Sequence, residues 1–284
     1  LSRYLDDARA LPVLWSAATL SAAIVALIAV FLARESWPLL AKSGIWPLLT
    51  DRSWNPTEGQ FGLAPIMAGT LLTAVGATLI AAPLGLASAL FARQAANRWI
   101  ARGQRALVTL LAGVPSVVFG FWGLVTIAPI VALWQPPGAS LLTAVVVLAV
   151  MILPTVALTA DAALGAVPCS MRLGAAGLGL SREATILKVE LPAAKGGIIA
   201  GVLLALSRAL GETMAVLMVA GNVVQVPSSL FDPVRTLTAN IALEMAYATG
   251  DHRSSLFVSG LALGAVVAAL ALIAWRTTEA RRYG

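Results

Sequence analysis

Residues 196–220 read GGIIAGVLLALSRALGETMAVLMVA, an apolar run long enough to cross a bilayer with Arg208 and Glu212 in its middle. An arginine at a helix centre costs roughly 2.5–3.5 kcal/mol on insertion scales, and a second ionisable group adds to that. The i, i+4 spacing predicts that both side chains lie on one helical face and partly neutralise each other. A fixed cation that survives in such surroundings is a candidate site for an anion.

The rest of the chain has the same character. It is 59% hydrophobic and 11% charged, with a mean hydropathy of +0.89, whereas soluble domains carry about 25% charged residues. Charge-free stretches run over 10–33, 59–92, 106–160 and 254–275. The third is too long for one span, and Gln135-Pro136-Pro137-Gly138 marks a turn inside it. With 196–220 these give six spans, near 12–33, 65–91, 107–134, 140–160, 197–220 and 254–274. The predicted class is all-α: one polytopic membrane domain over residues 1–284.

Thirteen of the nineteen Lys and Arg residues fall in the N-terminus, 92–106, 161–196 and the C-terminus. The other side, 34–64, 135–139 and 221–253, holds five. This asymmetry predicts that the first set is cytoplasmic, with both termini inside. Arg93, Arg98, Arg102 and Arg105, with no acid among them, anchor the assignment. The net charge of +6 is therefore a topology signal. The basic residues are dispersed over short loops, so nucleic acid is not an expected partner. The first apolar segment is longer than the apolar region of a signal peptide, no cleavage site follows it, and it is retained as a span. Cys169 is the only cysteine, which excludes an intrachain disulfide.

Two external segments are long. The first, 34–64, carries Trp37, Trp46 and Trp54, which read as an interfacial belt or as contacts for an external partner. The second, 221–253, contains a short helix at 237–248 dipping into or lying on the membrane, and the lone His252 reads as an ordinary loop residue. Pro83, Pro115 with Gly113 and Gly120, and Pro154 interrupt spans, as packing kinks or as hinges. Gly197 and Gly201 form a G-x-x-x-G that allows close helix approach.

The connection 161–196 has an organisation of its own. Leu173, Ala176, Gly177 and Leu180 recur at helical spacing. Ser181 is placed to cap a second helix with Glu183 in its first turn, and Ala184, Leu187 and Leu191 continue an apolar stripe that Pro192 is expected to end. A helix pair projecting from a membrane bundle suits docking on another protein.

Here the residues carry a resemblance. Arg172-Leu173-Gly174-Ala175-Ala176-Gly177-Leu178-Gly179, followed after nine residues by Val189-Glu190-Leu191-Pro192, resembles the EAA loop of ABC importer permeases. Gly179 and the Leu191-Pro192 pair match that pattern, while Leu173 stands at its usual Glu, Gly174 at its first Ala and Val189 at its Ile. Arg208-Ala209-Leu210-Gly211-Glu212-Thr213-Met214-Ala215-Val216, ending in Gly221-Asn222, is similar to the fifth-span signature of C-type permeases of the phosphate (Pst) system. Asn55-Pro56, Phe61-Gly62-Leu63-Ala64-Pro65, Gly69-Thr70, Pro83-Leu84-Gly85 and Thr236-Leu237-Thr238-Ala239-Asn240-Ile241 agree with it, so that the likeness covers roughly 54–275.

The resemblance implies the type I ABC importer permease fold and a subunit of an ATP-driven importer of inorganic phosphate in the bacterial cytoplasmic membrane. It implies that Arg172, Leu173, Gly174, Ala175, Gly179, Arg182, Glu183, Leu191 and Pro192 belong to a coupling element docked on an ATPase. The implied assembly adds an A-type permease, two ATP-binding subunits and an external phosphate-binding protein. The chain holds no G-x-x-x-x-G-K-[ST] loop, so ATP and its Mg ion belong to the partner, and no cofactor is expected here. Arg208 is the expected anion contact, because guanidinium is always charged and matches phosphate oxygens in a bidentate way. Glu212 either positions Arg208 or loosens its hold for release, and Ser207 and Thr213 offer hydroxyls. A fixed Arg–Glu pair joining helices is the alternative. Permeases for molybdate, sulfate or phosphonate fit the same chemistry, as does a proton-coupled secondary transporter using the pair as a relay. An intramembrane enzyme would need a nucleophile with a base, a metal site or an acidic pair, and the sequence offers none.

Overall fold

The computed structural model describes residues 2–95 and 97–279, with side chains over 11–93 and 97–274. Among these, the element order is α1 (Ser2–Ser43), α2 (Ile45–Thr50), a hairpin of β1 (Trp54–Asn55) and β2 (Gln60–Phe61), α3 (Ala64–Leu90), α4 (Arg98–Ala112), α5 (Ser116–Trp122) and α6 (Ala128–Ala132). There follow α7 (Leu141–Gly165), α8 (Cys169–Gly177), α9 (Arg182–Thr185), α10 (Leu191–Leu210), α11 (Met214–Val219), α12 (Leu237–Glu244) and α13 (Gly250–Glu279). Five stretches are long and apolar enough to span a membrane: Leu11–Ser43, Ala64–Arg93, Leu141–Gly165, Arg182–Leu210 and Gly250–Ala274. The sixth expected span is a pair of helical segments, Arg98–Ala112 and Ser116–Ala132, bent by 95°. The bend falls at Pro115, which lacks an N–H and adopts an extended backbone with ψ 141°.

The central helix is α7, two-thirds of whose span is buried. Helices in a bilayer gain little from the hydrophobic effect against one another, so close packing between small residues decides which faces meet. Gly85 of α3 lies against Val156, and Gly123, in the turn after α5, lies against Val147. Both glycines of the G-x-x-x-G motif face α7: a Cβ at Gly197 would come 2.7 Å from Ala163, and one at Gly201 would overlap the Thr159 side chain. On α3, Thr70, Thr73 and Thr78 return their hydroxyls to carbonyls one turn back, which leaves no unpaired donor on the buried face. The first N–H groups of α7 find carbonyls from distant loops, Leu141 on Asp232 at 2.9 Å and Leu142 on Leu230 at 2.7 Å. That loop is itself ordered by Asp232, whose carboxylate accepts from the Ser228 hydroxyl and the Ser228 and Ser229 amides, bonds that hold its pKa below the usual carboxylate value.

Several boundaries differ from the sequence reading. Helix α1 continues through Trp37 and Pro38 to Ser43, so the first connection is shorter than 34–64. It packs on α13, with Phe31 and Phe257 edge to face at 5.6 Å and Lys42 Nζ 2.9 Å from Asp251. Residues 250–253 are the first turn of α13, and His252 is therefore helical. Pro192 does not end its element. It occupies the first turn of α10, and a π-turn over Ile186–Glu190 joins α9 to α10 in one span, Arg182–Leu210.

The α7–α10 contact sets a direct test. Gly201→Leu drives a side chain into Thr159 and should cost about 1–3 kcal/mol of stability, read as a lower thermal midpoint of the purified protein. Gly103→Ala, inside α4 with open space around it, should leave that midpoint unchanged or raise it slightly, since Ala favours the helix over Gly by about 0.5–1 kcal/mol.

Candidate functional site

Arg208 and Glu212 do not share a helical face. Helix α10 stops at Leu210 and α11 starts at Met214, so Arg208 lies in the last turn of one helix and Glu212 in the connection to the next. The Glu212 side chain turns forward, and its Oε1 accepts the Ala215 N–H at 3.2 Å. Its carbonyl accepts the Thr238 hydroxyl of α12 at 2.7 Å. Arg208 is exposed, and among the described residues its guanidinium has no carboxylate or carbonyl partner. Its place at the C-terminal end of α10 favours the positive charge through the helix dipole. The expected Arg–Glu pair is thus replaced by a capped break beside an uncompensated cation. Ser207 donates its hydroxyl to the Leu203 carbonyl at 2.9 Å, and Thr213 donates a long bond of 3.4 Å to the Gly211 carbonyl.

A second polar centre lies at the end of the bundle formed by 34–64 and 221–253, and sequence reasoning missed it. Arg235 donates through Nε to the Asn222 carbonyl at 2.8 Å and through one terminal nitrogen to Asn240 Oδ1 at 3.0 Å and Glu244 Oε1 at 2.6 Å. Glu244 is buried, and its other oxygen meets His252 Nε2 at 2.8 Å and the Trp54 indole N–H at 3.1 Å. His252 also stacks on Phe61. Trp54 is therefore a structural donor, whereas Trp37 and Trp46 stay more than 65% exposed and fit an interfacial belt. The available signal was a pair of opposite charges, Arg235 and Glu244, bracketing an apolar helix. This centre holds α12, and through Thr238 it holds the break beside Arg208.

At the opposite, basic end, α8 and α9 form the expected helix pair. Gly179 takes φ +75° in the turn between them, and the Ser181 hydroxyl caps α9 by accepting the Ala184 N–H. Arg172 and Ala175 face the bundle: Ala175 is buried, and Arg172 bonds the Leu164 carbonyl and lies 3.1 Å from the buried Glu190, a partner the sequence did not reveal. Gly174, Gly179, Glu183 and Pro192 are exposed with Arg182, and Leu191 is half-buried. Leu173, Leu178 and Leu187 present 68%, 82% and 66% of their surfaces, an apolar patch on a polar-ended protein. Cys169 is exposed at the start of α8. Among the described residues, no group of three His, Cys, Asp or Glu side chains is placed to hold a metal ion.

The profile of a family described as the binding-protein-dependent transport system inner membrane component matches residues 81–278. The chain belongs to that family. It is 36% identical over 289 residues to a probable ABC transporter permease protein, YqgH, of Bacillus subtilis, covering 99% of this chain and 93% of that protein. It is 38% identical over 278 residues to the phosphate transport system permease protein PstC of Mesorhizobium japonicum, covering 88% and 84%. Among solved structures, an inward-facing MetNI methionine ABC transporter chain superimposes with a TM-score of 0.59 over 80% of this chain and 99% of that one, at 20% identity. The expected type I ABC importer permease fold is the one this chain adopts.

The Arg235–Glu244 pair gives the next prediction. Removing one partner of a buried ion pair costs about 3–5 kcal/mol, because the other charge is left uncompensated. Glu244→Leu should therefore destabilise the protein more than the double change Glu244→Leu with Arg235→Met, measured by thermal or denaturant unfolding.

Proposed function

We propose that this chain is the membrane-spanning permease subunit of an ATP-driven importer of inorganic phosphate. One observation carries the reading: a chain 33–38% identical to several phosphate transport permeases over most of its length sets an arginine without a counter-charge at a break in a spanning helix. An anion crossing an apolar bundle needs such compensation, since unpaired charge there is prohibitive. Arg208 supplies it with a planar fork of donors that fits phosphate oxygens.

The roles of the neighbours follow from what they already bond. Glu212 spends its carboxylate on the α11 cap and leaves Arg208 available, while its negative charge nearby limits how tightly an anion is held. Thr213, with only a long bond to the backbone, is freer to donate to a passing oxyanion than Ser207, whose proton is committed to Leu203.

Energy enters from a partner. The segment 172–192 docks on an ATP-binding subunit that holds ATP and Mg, through the exposed face bearing Leu173, Gly174, Gly179, Arg182, Glu183 and Pro192, with Arg172, Ala175 and Leu191 fixing that face to the bundle. Two such subunits, an A-type phosphate permease and an external phosphate-binding protein complete the assembly. The binding protein meets the side built from 34–64 and 221–253. The protein resides in the bacterial cytoplasmic membrane with both termini inside.

Two measurements check this. In proteoliposomes of the assembled complex, ATP should drive phosphate uptake that persists when the proton gradient is collapsed and that exceeds uptake of sulfate or molybdate. Arg208→Gln should lower that uptake at least about tenfold while assembly is retained, and full-rate transport by the variant would remove Arg208 from the path. The orientation is read from Cys169, the only cysteine. A membrane-impermeant maleimide should label it in inside-out vesicles and not in right-side-out ones.

A further inference from the structure

The basic end of the bundle holds a cavity of about 630 Å³ whose lining includes Arg93, Arg98, Arg102, Arg105, Arg172 and Glu190. The positive-inside rule accounts for arginines at this end of the spans. It does not account for five guanidinium groups converging on one concavity. Their pairing is incomplete. Arg93 and Arg105 share a single carboxylate, Asp161, each at 3.1 Å. Arg172 lies 3.1 Å from Glu190, but its buried Nε makes no hydrogen bond there. Among the described residues, Arg98 and Arg102 have no carboxylate at all, and Arg102 is steadied by lying over the Trp99 ring at 5.3 Å.

Five cations facing two acids repel one another, and a ligand bearing phosphate oxygens would relieve that repulsion through charge-assisted, bidentate bonds. Next to the cavity, Trp99 and Ile100 expose 75% and 57% of their surfaces, an aromatic and an aliphatic group of the kind that sits at headgroup depth. We propose that this cavity is a binding site for a phosphate-bearing anion, held chiefly by Arg98 and Arg102 with Arg93, Arg105 and Arg172 behind them. The site is separate from the Arg208 break. It joins the start of α4 to Arg172 of α8, so an occupant bridges the bundle to the helix pair that carries Leu173. The inference rests on the proposed orientation only in calling the occupant's compartment cytoplasmic.

Two sources can supply such a ligand, an anionic lipid headgroup and free inorganic phosphate. The test uses the assembled complex in nanodiscs, where both faces are accessible, so that an error in orientation does not affect the result. In the first arm, the complex is moved from phosphatidylcholine to phosphatidylglycerol nanodiscs and retained lipid is counted by native mass spectrometry. In the second, inorganic phosphate is titrated onto the Arg208→Gln complex in phosphatidylcholine, so that the translocation site does not contribute. A lipid site predicts retained phosphatidylglycerol that falls about tenfold in affinity with Arg98→Gln/Arg102→Gln. A site for free phosphate predicts saturable binding in the second arm, lost with the same pair. In either arm the charge-matched Lys195→Gln/Arg276→Gln complex, changed outside both the cavity lining named above and the docking segment 172–192, should bind as the parent does. Equal loss in both pairs, or no specific binding in either arm, overturns the proposal.

Discussion

A helix broken inside a bilayer exposes backbone donors and acceptors to a medium that cannot bond them, and the interruption of the fifth span at 211–213 is governed by that constraint. Lipid cannot correct the deficit, and here the chain does so itself. The Glu212 carboxylate takes the Ala215 N–H, its carbonyl takes the Thr238 hydroxyl, and Asn222 Nδ2 reaches the Leu217 carbonyl at 2.7 Å beyond the far end of α11. Thr238 can do this only because α12 is held in place, and α12 is held by Arg235, Glu244 and His252 together with the bond from the Leu237 N–H to the Thr70 hydroxyl. The polar cluster at the end of the bundle and the break near its middle are therefore one system. Arg208 stands out within it as the group whose charge the system leaves unanswered.

Hydropathy located the five spanning helices and, at the place of the sixth, the bent pair, because it is a sum over many residues and survives local irregularity. The interruptions were less legible, for different reasons. Pro115 and Gly113 announced a weak point in the third span, but the 95° bend depends on what α5 packs against, including the approach of Gly120 to Ala215. In the fifth span only Gly211 hints at a break, since Leu210 and Met214 are good helix formers and the run reads as continuous. The break is made by tertiary partners, Thr238 above all, which no local pattern encodes. The same reason explains the reading of Arg208 with Glu212. Their spacing is right for a pair on an intact helix, and the helix is not intact. The role of His252 is invisible in the local sequence because its partners lie 8 and 198 residues away, at Glu244 and Trp54. On the basic side, the periodicity of 173–180 pointed to a helix, but the helix runs over Cys169–Gly177, stops short of Leu180 and buries Ala175 while Leu173, Ala176 and Gly177 stay exposed; the partnership of Arg172 with Glu190 depends on how that helix folds back.

Pro192 shows how a local rule can be right and its consequence different. A proline does stop a helix that arrives from its N-terminal side with a normal hydrogen-bond ladder. Here the π-turn over Ile186–Glu190 shifts the ladder before Pro192 is reached, and the helical path from Arg182 to Leu210 is unbroken. That continuity has a mechanical meaning within the proposed function. From Glu190 to Arg208 a helix rises roughly 27 Å at 1.5 Å per residue. It runs from the salt bridge that anchors the docking helices to the cation at the break. On that proposal, a displacement imposed at α8 and α9 would be carried along α10, which is one continuous helical path packed closely on α7 at Gly197 and Gly201. At its far end the helix stops at the capped interruption, the point where the path changes direction at little cost. In the proposed importer, force and charge would thus act at opposite ends of a single element, with α11 and α12 held on the polar cluster beyond the break.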